Sequence, residues 1–227
     1  MEFAELVRTR RSIRKFKPEA VEWGKIVEIL NAGRVAPSAG NLQNWKFVVV
    51  QDEVQRKKVA DACEEQEWIS TAPAIIVVLG EPEKAERMYG SRGKFLYTIQ
   101  NCASAAISMI YAAHDQGLGA CWVGAYDEDK LRSVLVLPEN IFVHAVIPIG
   151  YPAESPELQP KSRIEHVSYF ERYWNRRRLA APHGQWSRNV MKWTKGAKKG
   201  IEEFGAKVES HVKKKVGEMR EGVLRKR

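Results

Sequence analysis

Residues 74–80 read Ala-Ile-Ile-Val-Val-Leu-Gly. A short apolar run of strand length, unbroken rather than alternating, marks a strand covered on both faces. WKFVVVQ (45–51) also reads as a strand, and FVHAVIPIGYP (142–152) as the last clear strand. Helices follow from 3.6-residue spacing. EFAELVRTRRSIRKF opens with Phe3, Leu6 and Val7 on one face, and residues 22–34 place Ile26, Ile29 and Leu30 together. A polar helix is expected over 52–66. The stretch 81–94, charged and glycine-containing, reads as an exposed excursion. Residues 95–116 form a long helix crowded with small side chains (Cys102, Ala103, Ser104, Ala105, Ala106, Ser108), which suits a central or inter-subunit position. GLGACWVGAY (117–126) reads as turn, short strand and turn. DEDKLRSVL begins with acids where a helix dipole favours them. Strands and helices mix irregularly without a repeat, so an α+β or mixed α/β domain is expected rather than an all-α or all-β one.

The chain has 227 residues, 44% hydrophobic and 29% charged, and a net charge of +9. This is the composition of a folded chain. The charge is uneven: residues 176–227 hold 16 Lys+Arg against 5 Asp+Glu, whereas residues 1–175 hold 21 against 23. The break predicts a near-neutral body (1–175), a hinge at RRRLAAPHGQ (176–185) and a basic tail (186–227). Cys63, Cys102 and Cys121 form no CxxC pair and cannot all pair internally, which argues against a disulfide framework or zinc ribbon and for a reducing compartment. No apolar run reaches the roughly 18 residues of a membrane span, and MEFAELVRTRR lacks the apolar stretch of a signal peptide. A cytoplasmic location is the expectation.

Four clusters carry candidate chemistry. Arg10, Arg11, Ser12 and Arg14 follow the first helix; arginine forks and a hydroxyl suit a phosphate, and equally an ordinary basic turn. Pro37-Ser38-Ala39-Gly40-Asn41-Leu42-Gln43-Asn44-Trp45 offers amides that can read a heterocycle edge, or a plain helix-to-strand turn. Lys161 and Arg163, in PKSR, can clamp a phosphate, though surface Lys-x-Arg pairs are common. Gly117-Leu118-Gly119-Ala120-Cys121-Trp122-Val123-Gly124 is not a dinucleotide fingerprint, because a strand follows it. Its glycines can let backbone lie flat against a planar ring. Cys121 reads as a small buried residue rather than a nucleophile. His114 and His144 have no partner visible in sequence.

In their order and spacing, RRSIRKF, APSAGNLQNW, the helix leading into GLGACWVGA, and IGYP followed by PKSR resemble the nitroreductase family over roughly residues 3–172. The resemblance implies an α+β sandwich around a mostly antiparallel central sheet flanked by helices, an intertwined homodimer, and FMN at the dimer interface. By position, Arg10, Ser12 and Arg14, with Arg11 less directly, match the residues that hold the ribityl phosphate and, at Arg14, the pyrimidine side of the ring. Pro37, Ser38, Asn41 and Gln43 match the loop that reaches the flavin from the partner subunit. Val123 and Gly124 match backbone near N5, Lys161 and Arg163 the terminal phosphate clamp, and Gln66, loosely, a polar ring contact. The implied reaction is ping-pong hydride transfer from NADH or NADPH through the flavin to a small organic oxidant, nitroaromatic or quinone-like. Arg14 is the implied electrostatic partner of reduced flavin, and no metal is required. Two departures stand out. Asn44 replaces the usual proline, which is expected to change loop stiffness more than chemistry. The short 81–94 stretch, where the family sets substrate choice, leaves the oxidant and the nucleotide preference open, along with dehalogenation or flavin destruction.

The tail lies beyond that resemblance. Val190, Ile201, Val212 and Val223 recur every eleven residues, a period that follows one face of a nearly straight helix, with lysines elsewhere. Three readings compete: a helix packed on the dimer or a solubilising tail, a helix on an anionic membrane surface with Trp186 and Trp193 at headgroup level, or non-specific nucleic-acid binding. The apolar stripe disfavours nucleic acid. A flavin-binding fold that serves mainly as an adaptor at a membrane or nucleic acid is the alternative to an enzyme.

Overall fold

The computed structural model describes residues 1–176. Residues 177–185 of the expected hinge, and the whole 186–227 tail, lie outside the described residues. The chain divides at Leu158/Gln159 into two compact units.

In the first unit the run 74–80 is a buried inner strand of the sheet. Strand β1 (Trp45–Val50), β2 (Ala74–Gly80), β3 (Gly119–Ala120) and β4 (Phe142–Gly150) form a four-stranded sheet in the order β1-β2-β4-β3, with every pairing antiparallel. All seven residues of β2 are buried. Its alternate side chains feed two separate cores, the reason the run is apolar throughout. Ile76 and Val78 enter a cluster with Ile26 and Ile29 of α2 (Trp23–Arg34) and with Met109 and Ile110 of α5 (Thr98–Asp115). Ile75 and Val77 enter another with Val59 of α3 (Glu53–Ala62) and Leu131 of α6 (Glu128–Leu135). Helix, sheet and helix layers result: an α+β sandwich. Ile26 and Ile29 are fully buried, which stabilises the fold by about 1.5–3 kcal/mol each.

Local chemistry sets the helix ends. Asp52 accepts from Gln55 N at 2.9 Å and Asp127 from Lys130 N at 3.0 Å, each capping its helix as N-cap acids do. The polar helix expected over 52–66 stops at Ala62, and Glu64 and Glu65 take positive φ before a 3-10 turn at Glu67–Thr71. The excursion at 81–94 is not irregular. It folds as helix α4 (Pro82–Arg92), because Pro82 sits where a helix tolerates a missing N–H, and a π turn (Gly93–Tyr97) joins it to α5. Helix α1 (Phe3–Thr9) buries only Leu6; Phe3 instead meets Tyr111 edge-on, ring centroids 6.3 Å apart. The described part of the second unit contains helix α7 (Ile164–Val167) and a cluster of Tyr169, Tyr173 and Trp174 rings.

Candidate functional site

The turn after α1 is held against the short edge strand. Ser12 bridges Ala120 in parallel, and Ile13 N donates to Ala120 O at 3.1 Å. Gly119 makes the approach feasible, since a methyl there would lie 2.8 Å from the Ile13 side chain. This brings Arg10, Ser12 and Arg14 within electrostatic reach of Cys121. Burial pushes that thiol up, while the Arg14 charge, the Ser12 hydrogen bond and the Arg10 charge pull it down. Cys63 and Cys102 are buried too, and burial pushes each to about 12, so none of the three thiols is poised as a nucleophile.

The arginines differ. Arg11 turns back on its helix, Nη1 donating to the carbonyls of Arg8, Thr9 and Arg10 at 2.8–2.9 Å, and its Nε is buried without a partner. Arg14 extends over the Trp68 ring at 5.9 Å, and Trp68 Nε1 donates to Gln66 Oε1 at 3.3 Å. Gln66 therefore lies beside Arg14 through a shared tryptophan. The three glycines of 117–124 have three different duties. Gly117, at φ +76°, closes α5: its N–H donates to His114 O, and Leu118 N–H to Ala113 O, satisfying two terminal carbonyls. Gly119 admits Ile13. Gly124 is exposed, with only the Trp122 ring within 4 Å of a Cβ placed there. Val123 is buried, exchanging both main-chain bonds with Val146 at 2.9 and 3.0 Å.

Pro37, Ser38, Asn41 and Gln43 form a separate structure. Gly40, Asn41 and Gln43 all have positive φ, an uncommon run outside functional loops. Ser38 Oγ accepts from Gln43 N at 3.0 Å, and Gln43 Nε2 donates to Asn41 Oδ1 at 3.0 Å. The loop leans on α4, where a Cβ at Gly40 would strike the Tyr89 hydroxyl, and is tied to α5 through Ala39 N and Asn101 Oδ1 at 2.8 Å. Its hydrogen bonds run to itself and to α5, not to the 10–14 turn. In the second unit Lys161 is exposed, and Arg163 pairs with Glu165 at 3.3 Å while 62% exposed. Such a pair contributes about 0–1 kcal/mol and yields readily to a better anion.

The donor set fits a flat, phosphate-bearing group. It offers guanidinium forks and a hydroxyl on one turn, and a buried N–H at Arg11 still lacks an acceptor. A family model described as the Nitroreductase family matches residues 7–70 and 64–151. The chain belongs to the nitroreductase family. Among this family member's relatives, a protein of Archaeoglobus fulgidus, provisionally named NADH dehydrogenase/NAD(P)H nitroreductase, is 34% identical over 161 residues, 69% of this chain and 89% of that one. A solved Bacteroides thetaiotaomicron structure with the same provisional name superimposes with a TM-score of 0.66 at 31% identity, covering 75% of this chain and 97% of that one. An FMN-dependent nitroreductase of Clostridium difficile gives 0.66 at 27% identity, covering 75% of this chain and all of that one.

Sequence reasoning on this nitroreductase missed three things. Trp68 under Arg14 and Glu154 behind it lie outside every motif quoted above. Asn44 is more than a stiffness change: fully buried, it donates to Glu81 O at 3.1 Å and Thr98 Oγ1 at 3.0 Å and accepts from Asn101 Nδ2 at 2.7 Å. Only the departure from proline hinted at it.

Proposed function

We propose that this protein carries two electrons from NADH or NADPH to a small organic acceptor, nitroaromatic or quinone-like, in two successive half-reactions at one site. As a member of the nitroreductase family it is an oxidoreductase that uses FMN and NAD(P)H. The observation that carries the finer reading is the seating of the turn that bears Arg10, Ser12 and Arg14 on the edge strand, through the Ser12–Ala120 bridge and the Ile13 N to Ala120 O bond. The chemistry that FMN supplies when bound is acceptance of a hydride from reduced nicotinamide and two-electron reduction of the acceptor.

The protein's part is binding and electrostatics. Arg10 and Ser12 hold phosphate, with Arg11 supporting from the helix end; in the second unit Lys161 and Arg163 are a phosphate-binding pair of their own. Arg14 presents a cation, kept extended by the Trp68 face, where negative charge develops on reduction. Val123 fixes the strand so that Gly124 leaves backbone accessible. Pro37, Ser38, Asn41 and Gln43 reach the site of a second copy. A homodimer through α5 is consistent with the half-buried Ala103, Ser104, Ile107 and Ser108 on its far face. The basic segment 186–227 lies on an anionic membrane surface in this reading, supported by its composition and eleven-residue apolar period. Among the described residues no helix is long and apolar enough to cross a membrane.

The absorption spectrum of the purified protein, before and after anaerobic NADH and NADPH, tests the reading. A yellow protein bleached by either nucleotide and reoxidised by a quinone or nitroaromatic is expected. A colourless protein that takes up no added FMN would sink it. Bound flavin untouched by either nucleotide would favour an adaptor.

A further inference from the structure

Arg14 stands where the main chain changes partners. Before it, Ile13 N donates to Ala120 O of the edge strand at 3.1 Å. After it, Lys17 N donates to Tyr151 O at 2.8 Å, Ala153 N donates back to Lys15 O at 2.9 Å, and Phe16 bridges Pro152. Between the two ladders the N–H groups of Arg14 and Lys15 have no main-chain acceptor. Glu154 takes both: one carboxylate oxygen accepts from Arg14 N at 2.6 Å and from Lys15 N at 3.1 Å. Arg14 and Lys15 are exposed, so water is the competing acceptor, and the carboxylate, the strongest acceptor a side chain offers, fixes the turn where water would leave it loose.

We infer that Glu154 is a positioning residue for Arg14. By fixing the Arg14 backbone it sets the direction in which the side chain leaves the turn, and the Trp68 face, 5.9 Å away, then supports the guanidinium end. Arg14 is thus held at both ends before any ligand arrives, which removes part of the ordering cost of binding. The inference rests on the reading that Arg14 meets the flavin. The acid's charge is incidental to this role, because one neutral carbonyl oxygen can accept both N–H groups.

The test is FMN affinity of the flavin-stripped full chain, followed by quenching of FMN fluorescence. Glu154→Ala should weaken binding about tenfold, and Glu154→Gln should stay within about threefold of the parent. In an Arg14→Ala background, Glu154→Ala should cost less than about twofold, because the residue it positions is gone. Should Glu154→Ala fail to fold, Glu154→Asp, too short to reach both N–H groups, takes its place against Glu154→Gln. Parent-like affinity in the Ala or Asp variant overturns the inference, as does a loss that persists undiminished without the Arg14 side chain. A parent protein that takes up no FMN overturns the functional reading itself, and the inference with it.

Discussion

Asn44 Oδ1 accepts a hydrogen bond from Asn101 Nδ2 at 2.7 Å, and both residues are buried. The same Asn101 accepts from Ala39 N at 2.8 Å, while Asn44 donates to Thr98 Oγ1 and to Glu81 O. Thr98 Oγ1 in turn donates to Gly93 O at 3.0 Å. One network ties the 37–43 loop, the end of β2 and the start of α5. Asn44→Ala orphans buried groups on Asn101 and Glu81, each worth about 1–3 kcal/mol. Urea unfolding should show a clear drop in midpoint. Asn44→Pro, the residue usual in the family, should destabilise this chain as well, because the same partners are stranded. A proline variant as stable as the parent would show that the network contributes little.

His114 predicts an acid-side weakness. Burial, then the charges of Arg10 and Arg11, hold its pKa below the ordinary 6.5, against an opposing pull from Asp115. Burial depresses His144 in the same direction. Well above pH 6.5, by about one pH unit, both rings are neutral whether the chain is folded or not, so neither makes stability depend on pH there. Below 6.5 the unfolded chain takes up protons that the folded chain resists, and stability falls until the folded pKa values are passed. The parent should therefore lose stability from pH 6.5 down to about 5, before carboxylates titrate. Paired His114→Gln and His144→Gln substitutions should flatten that slope in denaturant titrations. An unchanged slope would assign the dependence elsewhere.

The layered fold was legible because its signals are local and redundant. A seven-residue apolar run can hardly be anything but an inner strand, and the 3.6-residue spacing of Ile26, Ile29 and Leu30 leaves one helix face to bury. Residues 81–94 misled because α4 is short, polar and ends in glycines, so its helix is set by Pro82 and by packing of Ala85 rather than by periodicity. The site divides in the same way. Arg10, Arg11 and Arg14 on one short turn suit an anion, but Glu154 is 140 residues from Arg14, and nothing between them in sequence signals that the two are hydrogen-bonded. Asn44 reads as a turn residue until the buried amide opposite it, 57 residues on, is known.

Arg14→Ala separates electrostatics from assembly. The guanidinium lies over Trp68 and forms no hydrogen bond or ion pair with another described side chain, so its removal should leave the fold intact. In the proposed role it stabilises negative charge on reduced flavin, and its loss should make reduction less favourable. Equilibrium reductive titration should give a lower midpoint potential with FMN still bound. An unchanged potential in a flavin-loaded variant would reject that role. In its proposed role as a phosphate contact, Arg163→Ala should instead weaken FMN retention through gel filtration.

The basic excess belongs to a part of the chain that the family fold does not require. The Bacteroides and Clostridium difficile structures are covered almost to their full length while matching 75% of this chain. Residues 176–227 carry 16 Lys+Arg against 5 Asp+Glu, and apolar residues recur among them every eleven positions. Each cation near an anionic bilayer gains about 1 kcal/mol, and the gain fades within a Debye length. Flotation of the full chain with phosphatidylglycerol vesicles at low salt, and none with phosphatidylcholine, is therefore expected. Raising the salt should weaken binding without abolishing it, because burial of apolar side chains is insensitive to screening. A chain ending at Arg176 should stay with the soluble fraction in both lipids. Equal binding to both lipids would assign the contact to apolar burial alone. Flotation of the shortened chain would place the contact on the enzyme body, which is slightly acidic, and would remove the tail from the account.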